Sequence, residues 1–184
     1  MTNPAESCFL LRLKGVVPQN PTSIIIADTS VIINLCHTGH LLLLGRTATF
    51  EFLVLDEVIA EVTDPDQQRV LGEAIAEGAL RRHSISSPEE LATFAELTQS
   101  LGAGEAACLA VAETRSWLVA CDEKRLFLRE ARKRLGDDRI LNTVGLYVLW
   151  IRAGVVSVAE ADTAKGILES NRFRLAFDSF RDVI

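Results

Sequence analysis

The sequence predicts a single α/β domain, with a parallel sheet carrying helices on both faces. Three observations lead there. The apolar runs Ile24-Ile25-Ile26-Ala27 and Phe50–Leu55 are largely continuous rather than alternating, which is the habit of strands buried on both faces. Helix-length segments separate the runs, so strand and helix alternate and helices outnumber strands. At 184 residues the chain is long enough for one well-buried core and short for two.

The elements follow in order. Residues 1–23 read as an arm, punctuated by Pro4, Pro18 and Pro21, with a short edge strand at 9–13 that carries no chemistry. The first strand, 24–27, ends abruptly in Asp28-Thr29-Ser30. A helix follows through 31–35 with its N-terminus at Thr29-Ser30. Gly39 and Gly45 bracket a second short helix over Leu41-Leu42-Leu43-Leu44. The second strand, Phe50–Leu55, is ended by Asp56, and a helix runs on through Val62. Thr63-Asp64-Pro65 stops that helix and starts the next, with Asp64 as cap and Pro65 at the first helical position. Residues 67–77 continue helical until Gly78 closes the segment.

A short third strand is predicted at 80–85. Ser87-Pro88-Glu89-Glu90 is a capping box, with Leu91, Phe94, Ala95 and Leu97 as the apolar face of its helix. Leu101-Gly102-Ala103-Gly104 is a break, and 105–114 is an Ala-rich helix. The fourth strand, 117–121, ends in Asp122. A helix over 123–135 is closed by Gly136. A fifth short strand at 139–141 and helices at 143–152, 158–169 and 172–180 complete the chain. Residues 24–184 thus form one domain with a helical C-terminal extension, without internal repeat or linker.

Composition narrows the function. No apolar run is long enough to span a bilayer, and the N-terminus lacks the order of a signal peptide, so a cytoplasmic protein is expected. Cys8, Cys36, Cys108 and Cys121 are scattered without zinc or redox spacing, and most of them read as buried free thiols. The formal charge of −6 argues against a basic nucleic-acid coat. It does not argue against a nuclease, because carboxylates that hold a divalent metal make their own site acidic.

The acids carry the chemistry. Asp28 follows the first strand, Asp56 the second and Asp122 the fourth. In a parallel sheet the carboxyl ends of all strands lie on one edge, where ligands bind. Asp28 and Asp122 meet there if the first and fourth strands are neighbours. Glu61 lies one turn beyond Glu57 on the same side of its helix. Glu105 opens the Ala-rich helix among small residues. Each acid also has a plainer use. Asp28, Asp56 and Asp122 can cap helices, Glu57 and Glu105 can complement a helix dipole, and Glu61 can lie on a solvated face. Their joint placement favours a shared site. Clustered carboxylates repel one another, and a hard divalent cation, Mg²⁺ or Mn²⁺, relieves the repulsion while supporting phosphodiester hydrolysis by water.

The segments Ile25-Ile26-Ala27-Asp28-Thr29-Ser30, Val58-Ile59-Ala60-Glu61-Val62, Leu101-Gly102-Ala103-Gly104-Glu105-Ala106-Ala107 and Leu118-Val119-Ala120-Cys121-Asp122-Glu123 resemble the PIN-domain family. Within it the chain looks most like the small prokaryotic toxin ribonucleases of toxin–antitoxin pairs. The resemblance covers about residues 24–151, leaving the arm and the tail beyond Ala153 outside. It implies a three-layer α/β/α sandwich with a central parallel sheet of four to five strands, and an acidic Mg²⁺ or Mn²⁺ site that cleaves RNA. The metal and catalytic acids it implies are Asp28, Glu61, Glu105 and Asp122, with Glu57 and Asp56 as neighbours competing for the place of Glu61. Family members often carry Asp where Glu105 stands. Many have Gly-Thr where this chain has Asn142-Thr143, so only Thr143 matches.

Thr29 and Ser30 are expected to cap the first helix and to support Asp28 through a hydrogen bond. Arg125, Arg129 and Arg132 share one helical face and are candidates for RNA phosphates, although a solvated face balanced by Glu123 and Glu130 is the preferred reading. His37 and His40 have no acid in register for a zinc site and read as structural, and His83 as incidental. The hydrophobic excess of residues 31–44 suggests a homodimer contact or a surface for a small antitoxin. Two other classes compete with the nuclease. One is a PIN-like fold used as a non-catalytic binding or assembly module. The other is a phosphohydrolase with Asp28 as nucleophile, disfavoured because Ser30 stands where a second Asp would be needed.

Overall fold

The structure is a computed structural model that describes residues 23–122 and 125–184. Most of the predicted arm with its edge strand, Cys8, and the pair Glu123 and Lys124 lie outside the described residues. Five parallel strands form one sheet: β1 (Ser23–Ala27), β2 (Phe50–Leu55), β3 (Arg81–His83), β4 (Leu118–Ala120) and β5 (Ile140–Leu141), in the order β3-β2-β1-β4-β5. β1 is central because it can be buried on both faces, and Ile25, Ile26 and Ala27 have essentially no exposed surface. β3 is shorter than predicted. Arg81 and Arg82 are exposed and paired with Glu51 and Asp56, the charged habit of an edge strand.

The helices are α1 (Thr29–Thr38), α2 (Asp56–Glu61), α3 (Pro65–Ala76), α4 (Pro88–Leu97), α5 (Ala103–Arg115), α6 (Leu126–Leu135), α7 (Thr143–Arg152) and α8 (Val158–Ser170). α1 packs on α3, α7 and α8. α5 packs on β1, β2 and β4, and on α4 and α6. Right-handed crossovers explain the division, because the chain moves outward from β1 to β3 and then returns past β1 to β4 and β5. The result is the three-layer α/β/α sandwich. The predicted caps hold: Asp64 accepts from Gln67 N at 3.0 Å, and Ser87 and Glu90 close a reciprocal box.

Three expectations are corrected. Residues 41–46 form a 3₁₀ turn, and Leu41 and Leu44, with Val31, Ile32 and Leu35 of α1, are buried in the chain's own core. The hydrophobic excess that suggested a partner surface is therefore largely used internally. Residues 172–179 are not helical, and Phe180 only opens a short 3₁₀ turn, Phe180–Asp182. Arg172 takes a left-handed φ of 68°, ending α8. Phe173, Phe177 and Phe180 recur at helical spacing, but they pack on the core from an irregular tail held by Asp162, which accepts from Ser179 Oγ at 2.8 Å and Phe180 N at 2.7 Å. Asp56 is no cap: it lies inside the first turn of α2 and accepts from Arg82 and Ser84.

The 3₁₀ turn passes close to the chain at Ala79. A Cβ on Gly45 would lie 3.0 Å from Ala79 Cα, a backbone atom that cannot swing aside. Gly45→Ala is therefore expected to lower stability by about 1–3 kcal/mol, read as an earlier urea midpoint with an unchanged slope.

Candidate active site

β1 and β4 are neighbours, paired in register at Ala27 and Ala120. The topology reverses at this point, the place where ligands settle in open α/β sheets. Asp28 lies one residue past β1, and its N–H donates to Ala120 O at 2.9 Å. Asp122 lies two residues past β4. The expected meeting of these two acids rests on that pairing.

Asp28 is buried and is itself the cap of α1, a role the sequence assigned to Thr29 and Ser30. Its extended backbone makes it the last residue outside the helix, so its carboxylate reaches the first turn. Oδ2 accepts from Ser30 N at 3.3 Å, from Ser30 Oγ at 2.8 Å and from the Cys121 thiol at 3.4 Å. Oδ1 is buried and has no hydrogen-bond partner among the described residues. Burial pushes the Asp28 carboxyl above its ordinary value, against the bonds from Ser30 and Cys121. The expected support from Ser30 is present.

Asp122 is anchored from three sides. Oδ1 accepts from Thr143 N at 2.9 Å, and Oδ2 accepts from Asn34 Nδ2 at 2.9 Å and from Thr143 Oγ1. Its own N–H donates to Ser30 Oγ at 3.1 Å. Burial raises its pKa, opposed by the bonds from Thr143 and Asn34, and the nearby charge of Asp28 raises it further. Thr143 is fully buried and serves Asp122 at the start of α7. Asn34 was missed from the sequence. Its signal was being a polar residue in the apolar run Val31-Ile32-Ile33-Asn34-Leu35.

Glu61 and Glu105 complete the acidic wall. Glu61, the last residue of α2, bridges two other helices: Oε2 accepts from Thr29 Oγ1 at 2.6 Å and Oε1 from Gly104 N at 2.7 Å. Glu105 accepts from Gly102 N at 3.1 Å, closing the first turn of α5. Asp28, Thr29, Ser30, Ile33, Glu61, Gly102 and Glu105 line a cleft of about 250 Å³. Asp122 sits beside Asp28 but does not line it. Neither Asp56 nor Glu57 lines it, which leaves Glu61 as the acid α2 contributes. Arg125, Arg129 and Arg132 do not line it either. Arg129 and Arg132 pair with Glu130 and Asp137 on the outer face of α6.

The donor set fits a hard divalent cation. Among the described residues the ionisable groups of the cleft are all carboxylates, no basic side chain lines it, and Asp28 Oδ1 lacks a partner. Among the described residues no three His, Cys, Asp or Glu side chains converge into a ready-made metal cage. Thr29 and two backbone N–H groups already bind Glu61 and Glu105. An ion would therefore draw on their remaining lone pairs.

Among the described residues no helix is long and apolar enough to cross a membrane. Neither the curated proteins nor the solved structures give a match to the chain. A family model described as a PIN domain matches residues 24–183, continuing through the tail beyond Ala153 where the sequence resemblance had ended. PIN domains are generally nucleases and typically use divalent metals. With that match covering most of its length, and with a parallel sheet whose carboxyl edge gathers the acids, the chain belongs to the PIN-domain family.

Proposed function

We propose that the protein is an endoribonuclease that hydrolyses RNA phosphodiester bonds with Mg²⁺ or Mn²⁺. One observation carries the reading: Asp28, at the switch point of the sheet, keeps a buried carboxylate oxygen without a partner among the described residues, beside two further cleft acids. Asp28, Glu61 and Glu105 would hold the ion. Asp122, committed to Thr143 and Asn34, completes the acidic set from behind Asp28. A bound ion would supply activation of the attacking water and stabilisation of the leaving oxygen. Ser30 and Cys121 orient Asp28, and Thr29 orients Glu61. The role of toxin in a toxin–antitoxin pair is proposed on the resemblance, and a homodimeric state or a small protein partner on the part of the hydrophobic excess of residues 31–44 that the core does not use.

Cleavage of single-stranded RNA is measured with Mn²⁺ or Mg²⁺ and with a chelator, for wild type and Asp28→Asn. Metal-dependent cleavage by wild type and its loss in the variant are expected. A variant that cuts as well as wild type shows that the site is wrong. The second reading, a non-catalytic binding module, is favoured by the lack of a preformed three-acid cage among the described residues. It takes over if wild type neither cuts RNA nor binds either ion in calorimetry.

A further inference from the structure

We infer that Thr29 and Gly104 are positioning residues for Glu61, and that residue 104 is glycine because the Glu61 carboxylate occupies the space of its side chain. A Cβ built on Gly104 would lie 2.7 Å from Glu61 Cδ and 2.9 Å from Oε1, closer than such atoms can approach. The backbone does not require glycine there. Gly104 is the second residue of α5 and is not among the residues with positive φ. A glycine in ordinary helical backbone costs about 0.5–1 kcal/mol relative to alanine. That cost is offset by the close approach that the missing Cβ allows, in which the Gly104 N–H donates to Glu61 Oε1 at 2.7 Å.

Gly102 supplies the contrast. It lines the same cleft, yet a Cβ there would meet nothing closer than 3.7 Å. The tight approach is specific to Gly104. From the other side Thr29, the first residue of α1, donates its hydroxyl to Glu61 Oε2 at 2.6 Å. Each carboxylate oxygen of Glu61 thus accepts one bond from the protein and keeps a lone pair. Three helices meet at this one carboxylate: α1 through Thr29, α2 through Glu61 itself and α5 through Gly104. Groups that orient a ligand in this way typically control metal affinity by about 10–100-fold.

The inference rests on the proposed metal-dependent reading, and its test separates the two. Mn²⁺ binding is measured by calorimetry on wild type, Gly104→Ala, Thr29→Val, Thr29→Ser and the double variant Gly104→Ala/Glu61→Asp. Far-UV circular dichroism and thermal unfolding without ion accompany each. Gly104→Ala and Thr29→Val are each expected to weaken Mn²⁺ binding about 10-fold or more, with the circular dichroism unchanged. Thr29→Ser, which keeps the hydroxyl, retains affinity. The double variant regains part of it, because the shorter aspartate withdraws from the new methyl group. If Gly104→Ala fails to fold, Thr29→Val against Thr29→Ser decides. Wild-type affinity in Gly104→Ala and Thr29→Val overturns the inference and leaves the metal reading standing. Absence of Mn²⁺ binding by wild type overturns the metal reading and the inference with it.

Discussion

Asp28→Asn is expected to abolish metal-dependent RNA cleavage while making the ion-free protein more stable. The loss of cleavage should be about 100-fold or more, beyond the 10–100-fold produced by removing groups that merely support a metal ligand. The gain in stability follows from the buried charge. Burial, opposed by the bonds from Ser30 and Cys121, holds the Asp28 carboxyl above its ordinary 3.8. The folded state therefore takes up the proton more readily than the unfolded chain. The ionised form destabilises the fold above the folded pKa, and the penalty disappears as pH falls through that value to below 3.8. Asparagine removes the charge, keeps the shape and keeps an oxygen for Ser30. A gain of about 0.5–2 kcal/mol is typical when a strained functional site is relaxed. Urea unfolding in chelator at neutral pH checks it. A variant less stable than wild type under those conditions would show that the carboxylate is a net contributor to folding.

Glu90→Gln should have the opposite consequence, a large loss of stability with Mn²⁺ affinity unchanged. The Glu90 side chain is fully buried, and it accepts from Arg115 Nε at 2.6 Å, Ser86 N at 2.8 Å and Ser87 N at 3.0 Å. Burial pushes its pKa up, but the bonds from Arg115 and the two N–H groups prevail and hold it at about 2, against an ordinary 4.5. The stabilisation is complete above 4.5 and is lost as pH falls from there towards 2. Glutamine keeps the volume and loses the charge facing Arg115, at a cost of about 2–4 kcal/mol. For a chain of this length that lowers Tm by roughly 5–15 °C. Glu90 ties the start of α4 to the end of α5, while the cleft lies at the other end of that hairpin. A calorimetric melt at neutral pH showing an unchanged Tm would sink the prediction.

The sheet and its acids were legible because their signals are local. A continuous apolar run followed by a carboxylate marks a buried strand ending at the carboxyl edge of the sheet, and Asp28, Asp56 and Asp122 all carry that mark, although only the pairing of β1 with β4 brings Asp28 and Asp122 together. The caps at Asp64 and Ser87 were legible for the same reason. What escaped depends on bonds between distant side chains. Asp56 reads as a cap until Arg82 and Ser84 are seen beside it. Asn34 has no acid near it in sequence, and its partner Asp122 arrives only through the pairing of β1 with β4. Asp28 took the cap from Thr29 and Ser30 because strand pairing to Ala120 keeps its backbone extended, one residue longer than the apolar run indicates. The phenylalanines of the tail imitate a helical face. Their spacing reports three contacts with the core and says nothing of the backbone between them.

The pairing of Ile25 with Leu118 also sets the order in which the molecule can be made. Contacts this distant in sequence must wait for a large loop to close, so parallel sheets form slowly. Synthesis delivers the N-terminal strand first. A nascent chain that has reached Arg115 already carries Asp28, Glu61 and Glu105. It still lacks Ala120, which receives the Asp28 N–H, and Thr143, which secures Asp122. The acidic set is completed only late in translation, when Asp122 arrives, β4 has slotted in beside β1 and α7 has begun.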